Sequence, residues 1–192
     1  MKIRVSTAGL PVTPFLIIGS GIAGLYTALK LAEIAEVTLI TKETVKESNT
    51  TYAQGGIAVA LSATDSPDLH YADTMKAGAD LCLPAAVEVL VKEGPERVRE
   101  LIALGVPFDT EAGDIVMTRE AAHSCSRVLH ADGDATGREI SKTLAKLVRA
   151  NPNITILENH FAIALLTGED GCYGVLTIDE KGTRRTLLAH TT

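Results

Sequence analysis

Phe15-Leu-Ile-Ile-Gly-Ser-Gly-Ile-Ala-Gly24 is the stretch that decides the fold. A short apolar run ends at Gly19, and Gly21 and Gly24 complete a Gly-x-Gly-x-x-Gly spacing that apolar residues at helical intervals follow. This order predicts a buried parallel strand, a tight turn and a helix whose N-terminus faces a diphosphate. Gly19 permits the turn, Gly21 lets the backbone approach the phosphates, and Gly24 lets helix and strand pack closely. A glycine motif alone is weak evidence, but here it stands between the strand and the helix that it requires.

The segments beyond the glycine turn predict an α/β fold with a Rossmann-like parallel sheet and a small antiparallel β-meander. Val37–Ile40 is the second strand of a βαβ unit, and helices are expected over 68–81, over 84–104 with a break at Gly94-Pro95, and over 139–149. A short strand is expected over Val106–Asp109. Strands over 154–158, 162–166, 174–178 and 183–189 close the chain, with tight turns between the last three.

Composition excludes several classes of protein. Of 192 residues, 46% are apolar and 22% are charged, which is ordinary for a globular chain with a real core. The net charge is −6 and no basic cluster is present, so a nucleic acid is not an expected partner.

Val12–Leu29 contains no charged residue and reaches the minimum length of a membrane span. Its central glycines favour a buried strand, turn and helix instead, so no membrane association is expected. The three cysteines lack C-x-x-C spacing, and the polar leader Met1–Pro11 carries no targeting pattern. These features predict a cytoplasmic protein without disulfides.

The tip of the second strand departs from the usual dinucleotide pattern. An acidic side chain often meets the adenosine ribose there, but this sequence has Thr41, followed by Lys42 and Glu43. The substitution weakens an NAD interpretation unless Glu43 supplies the acceptor. Thr41 could still bond a ribose hydroxyl, and Lys42 could lie near a phosphate.

Two polar stretches allow more than one interpretation. Gly55-Gly56 ends an uncharged run and is typical either of a surface turn, which is favoured on its own, or of backbone held close to a flat ligand. His123, His130, Asp132 and Asp134 lie close in sequence, but they lack the i, i+4 helical pairing or cysteines of a recognised zinc site. No metal site is predicted.

Six segments of the sequence resemble one family of flavoproteins, both in their residues and in their order along the chain. They are Gly19–Gly24, Thr41-Lys42, Tyr52–Ala58, Asp73–Gly78, Thr118–Ser124 and Arg127–Arg138. The family is that of L-aspartate oxidase, succinate dehydrogenase and fumarate reductase, and the sequence is most similar to the aspartate oxidase branch. The resemblance spans nearly the whole chain and implies an FAD-binding domain over residues 1–192.

The resemblance implies a set of cofactor-binding residues. These are Gly19, Ser20, Gly21, Ile22, Ala23, Gly24, Thr41, Lys42, Asn49, Thr50, Thr51, Tyr52, Ala53, Gln54, Gly55, Gly56, Phe161 and Ala162. Succinate dehydrogenase-type flavoproteins carry a Ser-His-Thr run ahead of the paired glycines, and that histidine is joined covalently to FAD. The matching run here is Ser48-Asn49-Thr50, which implies that FAD is bound non-covalently.

The resemblance also implies a reaction, the oxidation of L-aspartate to iminoaspartate with oxygen or fumarate as electron acceptor. The product would enter NAD biosynthesis, which suggests quinolinate synthase as a further partner. Glu120 is the candidate that contacts the substrate amine, although a salt bridge to Arg119 or Arg127 is an equal alternative. Ala121-Ala122 stands where aspartate oxidases usually carry a glycine pair.

Enzymes of this branch are longer than 192 residues, because a capping domain and a helical C-terminal domain follow. The resemblance therefore implies an FAD-binding fragment that cannot turn over aspartate alone, with the principal acid/base arginine beyond Thr192. Two other hypotheses remain: the same part of a fumarate reductase or succinate dehydrogenase flavoprotein, and a non-catalytic dinucleotide-binding module.

Overall fold

A computed structural model describes residues 11–192, so the predicted leader lies outside the described residues except for Pro11. In chain order the elements are β1 Val12–Ile18, α1 Ile22–Leu31, β2 Val37–Ile40, β3 Ile57–Ala58, α2 Pro67–Ala77, α3 Pro84–Ala103, β4 Thr110–Glu111, β5 Asp114–Ile115, β6 Met117–Thr118, β7 Val128–Leu129, α4 Thr136–Ala150, β8 Ile154–Leu157, β9 His160–Gly168, β10 Gly171–Asp179 and β11 Arg184–Thr191. The described residues form two compact units, 11–51 with 144–192, and 52–143. The single domain expected over residues 1–192 stays a prediction.

The first unit is built on a six-stranded sheet with the order β8-β2-β1-β11-β10-β9. Strands β8, β2, β1 and β11 are parallel neighbours, while β11, β10 and β9 form the antiparallel meander. The buried face includes Leu16, Ile40, Val175 and Ala189, which pack together from four different strands. The predicted α/β class, with a parallel sheet and a β-meander, is confirmed.

The uncharged run Val12–Leu29 forms strand, turn and helix, as expected. Within residues 11–192, the helices are too short or too polar to cross a bilayer.

The second unit contains α2, α3 and two small sheets, β3-β7-β6 and β4-β5. The break predicted at Gly94-Pro95 is wrong, because α3 runs without interruption from Pro84 to Ala103. Pro95 is buried on the same helix face as Val91 and Val98, so packing of that face outweighs the hydrogen bond that proline removes.

The strand predicted over Val106–Asp109 is also wrong. Pro107 has no N–H to offer a neighbouring strand, and the Phe108 N–H donates to the Val106 carbonyl at 3.0 Å. This local bond turns the backbone, while the Val106 and Phe108 side chains are both buried. Val106 and Phe108 therefore pack in the core although their backbone is not part of a sheet.

A buried cation lies inside the second unit. The Arg127 side chain is fully buried, and its Nε and Nη2 donate to the two carboxylate oxygens of Asp65 at 2.9 and 2.8 Å. Its Nη1 donates to Asp73 Oδ2 at 2.7 Å, and the same oxygen accepts from the Ser124 backbone and hydroxyl at 2.8 and 2.7 Å. The buried charge is thus matched by two carboxylates, which avoids the large cost of an unpaired ion.

These contacts predict a specific loss of stability in acid. Hydrogen bonds from Ser124, together with Arg127, lower the pKa of Asp73 from 3.8 to about 2. Because the folded-state pKa is the lower one, the stabilisation is complete above pH 3.8 and is lost as the pH falls through about 2. We expect the thermal unfolding midpoint to fall across this window, and Asp73→Asn to lower it at neutral pH and flatten the decline.

Asp114→Asn is the matched control, because Asp114 is an exposed carboxylate in the β4–β5 hairpin of the same unit. It should leave the slope of the unfolding midpoint against pH unchanged. An Asp73→Asn protein with the wild-type pH profile would show that Asp73 is not the titrating group.

Candidate cofactor site

A cavity of about 480 Å³ opens at the carboxyl ends of β1 and β2 in the first unit. Ligands of open parallel sheets bind at this end of the strands. Half of the predicted cofactor residues line the cavity: Gly19, Ser20, Gly21, Thr41, Lys42, Asn49, Thr50, Phe161 and Ala162. Residues from 18–50 and from 160–162, which are far apart in the sequence, therefore line one cavity in the structure.

The glycine turn has the geometry that its spacing predicts. Gly19 has φ +108°, a conformation that favours glycine, and its N–H donates to the Ile40 carbonyl at 2.8 Å. A Cβ on Gly24 would lie 2.0 Å from the Gly19 carbonyl oxygen, so helix and turn approach too closely for any side chain. A Cβ on Gly21 would meet only Thr50 Oγ1, at 3.5 Å. Gly24 is thus required for packing, whereas Gly21 leaves open space at its surface.

The first turn of α1 carries Ile22 and Ala23 and begins beside the cavity. Gly21 is the N-cap residue and supplies no side-chain cap. Thr50 supplies one instead, since its Oγ1 accepts from the Ile22 N–H at 3.1 Å. One of the free N–H groups at this helix end is therefore already bonded to the loop that contains Asn49.

Thr41 is more enclosed than the sequence indicates. Only 5% of it is exposed, and its Oγ1 lies 2.9 Å from Ser20 Oγ. Its N–H donates to the Leu157 carbonyl at 3.0 Å, and its carbonyl accepts from the His160 N–H at 2.9 Å. Thr41 therefore joins the glycine turn to the strand end at Leu157 and forms part of the cavity wall.

Glu158 is a residue that the sequence analysis missed. Its Oε1 accepts hydrogen bonds from the Val45 N–H and from Arg149 Nη2, both at 2.6 Å. The next residue, Asn159, has φ +57° and donates its N–H to the Glu43 carbonyl at 3.2 Å. These bonds fix the loop that leaves β2, with the fully buried Val45 as its anchor. The available signal was positional, because Glu158 directly follows a parallel strand at the same sheet edge.

The loop after Asn49 contains the boundary between the two units, which falls between Thr51 and Tyr52. Thr51 belongs to the first unit, where its hydroxyl donates to the Lys46 carbonyl at 2.6 Å. Tyr52, Ala53, Gln54, Gly55 and Gly56 belong to the second unit. Gly55 has φ +77°, and a Cβ on Gly56 would lie 2.4 Å from the Leu129 carbonyl oxygen. The paired glycines thus combine a turn with close backbone packing against β7.

Glu120 lies on the loop between β6 and β7, with about half of its side chain exposed. Its Oε1 is 3.3 Å from His130 Nε2, a partner that differs from the arginines considered in the sequence. Arg119 Nε donates instead to the His123 carbonyl at 3.0 Å, and Arg127 pairs with Asp65 and Asp73. The Glu120 carboxylate therefore lies beside an imidazole rather than an arginine.

The same loop contains a strained residue. Ala122 has φ +69°, in the left-handed region that favours glycine. A side chain in this conformation costs about 1–3 kcal/mol. Ala121-Ala122 thus stands where the family resemblance implies a glycine pair. The backbone of Ala122 nevertheless has a conformation that suits glycine better than alanine.

Comparisons with known proteins identify the family of this chain. The FAD binding domain family matches residues 15–192. The chain is 49% identical to the chloroplastic L-aspartate oxidase of Arabidopsis thaliana over 172 residues, which are 87% of this chain and 26% of that protein. It is 50% identical to L-aspartate oxidase from Nostoc sp. over 162 residues, 83% of this chain and 28% of that protein. The chain thus spans 26–28% of the length of these two relatives.

A solved structure shares the fold. E. coli quinol fumarate reductase FrdA, with the E245Q mutation, superposes with a TM-score of 0.88 at 26% identity, covering 95% of this chain and 32% of that one. The glycine turn, the cavity at the strand ends and the match over residues 15–192 lead to one conclusion. This chain belongs to the FAD binding domain family, and its cofactor is FAD.

Proposed function

We propose that this chain forms the FAD-binding part of a flavoprotein that oxidises L-aspartate to iminoaspartate. The observation that carries the proposal is the 49–50% identity to proteins named L-aspartate oxidase across most of the chain. The identity to the fumarate reductase is 26% over a similar span. Because the chain spans only 26–28% of those relatives, the activity of the whole enzyme is part of the proposal.

The residues of the first unit fit an extended dinucleotide. The open face of Gly21 and the first turn of α1 suit the pyrophosphate, because backbone N–H groups there attract anions. Thr41 and Lys42 line the same cavity and suit the adenosine ribose, and the main chain of Phe161 and Ala162, which also line it, suits the adenine. For residues 52–56, which belong to the second unit, contacts to the flavin stay a prediction from the family resemblance.

Asn49 supports a non-covalent cofactor. It lines the cavity at the position where covalent flavoproteins of the wider family carry a histidine. An amide has no nucleophilic ring nitrogen, so the side chain can accept or donate hydrogen bonds but cannot form that link. The same residue argues against the alternative, a succinate dehydrogenase or fumarate reductase flavoprotein, which the shared fold otherwise supports.

When bound, FAD supplies the acceptor for the hydride that leaves the substrate α-carbon. The protein's part is to bind and orient an amino-dicarboxylate. The exposed carboxylate of Glu120 suits the substrate ammonium, because a charge-assisted hydrogen bond to an ionised group is among the stronger polar contacts. Oxygen or fumarate would then reoxidise the enzyme, and quinolinate synthase would use the imine. We also place the enzyme in the cytoplasm, although the Arabidopsis relative is named chloroplastic.

The activity predicts a simple spectroscopic result. Anaerobic addition of L-aspartate to the purified enzyme should bleach the visible flavin absorbance, whereas D-aspartate and succinate should not. Acid precipitation should leave the yellow colour in the supernatant. Reduction by succinate with colour retained in the pellet would instead support the dehydrogenase alternative, and no reduction by either substrate would contradict both.

The glycine turn predicts that two alanine substitutions affect different properties, one the stability of the protein and the other its affinity for FAD. Gly24→Ala places a methyl against the Gly19 carbonyl and should destabilise the protein by about 1–3 kcal/mol, measured by denaturant unfolding without cofactor. Gly21→Ala meets only ordinary contacts and has φ −68°, so its stability should change little. Its affinity for FAD should fall at least roughly tenfold, because the methyl blocks the approach of the phosphates. Wild-type FAD affinity in Gly21→Ala would place the pyrophosphate elsewhere.

The Glu158 contacts predict that this residue supports FAD binding through the loop after β2. Glu158→Ala leaves the Val45 N–H without its acceptor, an effect of about 1–3 kcal/mol, and should weaken FAD binding roughly tenfold in equilibrium titrations. Glu158→Gln keeps an oxygen at the same position and should bind FAD nearly as the wild type does. Glu180→Ala, in the exposed β10–β11 turn, is the control. Equal losses in Glu158→Gln and Glu158→Ala would mean that charge, rather than the bond to Val45, matters.

A further inference from the structure

His130 has no role in the cofactor site described above, yet it is the side chain that contacts Glu120. Its Nε2 lies 2.9 Å from Thr118 Oγ1 and 3.3 Å from Glu120 Oε1. Thr118 Oγ1 also donates to the Val128 carbonyl at 3.5 Å. Nε2 of His130 thus faces two oxygens, a hydroxyl that can accept or donate and a carboxylate that, when ionised, can only accept.

The position of His130 is fixed by its surroundings in the second unit. It directly follows β7, which pairs with β3 on one side and β6 on the other, and its carbonyl accepts from the Asp109 N–H at 2.8 Å. A Cβ on Gly56 would lie 3.0 Å from His130 Cε1, so the ring packs against Gly56. The imidazole is 19% exposed, compared with 51% for the Glu120 side chain. The more enclosed imidazole thus lies beside the more exposed carboxylate.

We propose that His130 is a positioning residue, which orients the Glu120 carboxylate for the ammonium group of an amino-dicarboxylate substrate. This inference rests on the proposed function. A carboxylate has acceptor sites for several donors, so the contact with His130 leaves capacity for an ammonium. Restricting the three side-chain torsions of Glu120 before the substrate arrives removes an entropic cost of binding. The preference for an amine-bearing dicarboxylate over a plain one then depends on the His130–Glu120 pair.

The test separates recognition of the amine from recognition of the carboxylates. In the FAD-loaded full enzyme, kcat/KM is measured with L-aspartate, and the dissociation constant of fumarate is measured by perturbation of the oxidised flavin spectrum. Fumarate carries two carboxylates, has no amine and cannot reduce the flavin. We expect His130→Leu to lower kcat/KM for aspartate about tenfold, as the loss of a polar partner of a charged group does, while leaving fumarate binding unchanged.

Conservative variants distinguish positioning from folding. His130→Gln places an amide donor near the position of Nε2 and should recover most of the loss, whereas His130→Asn is too short to reach Glu120 and should not. FAD content and the unfolding midpoint are measured for each variant. If His130→Leu does not fold, the glutamine and asparagine variants carry the test. Equal losses for aspartate and fumarate, or no difference between these two variants, would overturn the inference.

A double-mutant cycle with Glu120→Gln tests the coupling directly. If His130 acts through Glu120, adding His130→Leu to Glu120→Gln should cost little more, so the two effects should be strongly non-additive. Additive losses would overturn the inference. Failure of the wild-type enzyme to be reduced by L-aspartate would instead refute the proposed function, independently of how the His130 variants compare in fumarate binding.

Discussion

The contact between Gly24 and the Gly19 carbonyl oxygen is the constraint on which the first unit depends. The Gly19 oxygen lies 2.0 Å from where a Cβ of residue 24 would be, so this position of α1 allows no side chain. This approach sets the helix close against β1 and directs its first turn toward the carboxyl ends of the parallel strands. The cavity, the Thr50 cap and the wall formed by Thr41 all follow from that placement, because each is built around the same strand ends.

The second unit depends on a different kind of interaction. Its sheets are short, and beside its apolar core it buries a charge, Arg127, that is matched by Asp65 and Asp73. A buried ion pair adds little net stability compared with an apolar core, but removing one partner is expensive. Such a cluster therefore specifies which segments meet. It ties the loop that carries Glu120 to α2 through Ser124 and Asp73.

The local parts of this structure were predictable from sequence, and the distant contacts were not. The turn at Gly19–Gly24 and the strand Val37–Ile40 depend on neighbouring residues, so their patterns predict them. The predictions of a helix break at Pro95 and of a strand around Pro107 were wrong. At both places the burial of side chains in the second unit outweighed the local preference of the backbone. It also could not reveal the bond between Val45 and Glu158, which joins residues 113 positions apart. The pairing of Arg127 with Asp65, 62 positions apart, belongs to the same class.

The left-handed backbone of Ala122 has a consequence for the free energy of folding. Glycine there would relieve the strain of the folded loop but would also give the unfolded chain many more conformations to lose, whereas the methyl group restricts them. The two effects oppose each other, so the net cost of alanine at this position is smaller than its backbone strain alone.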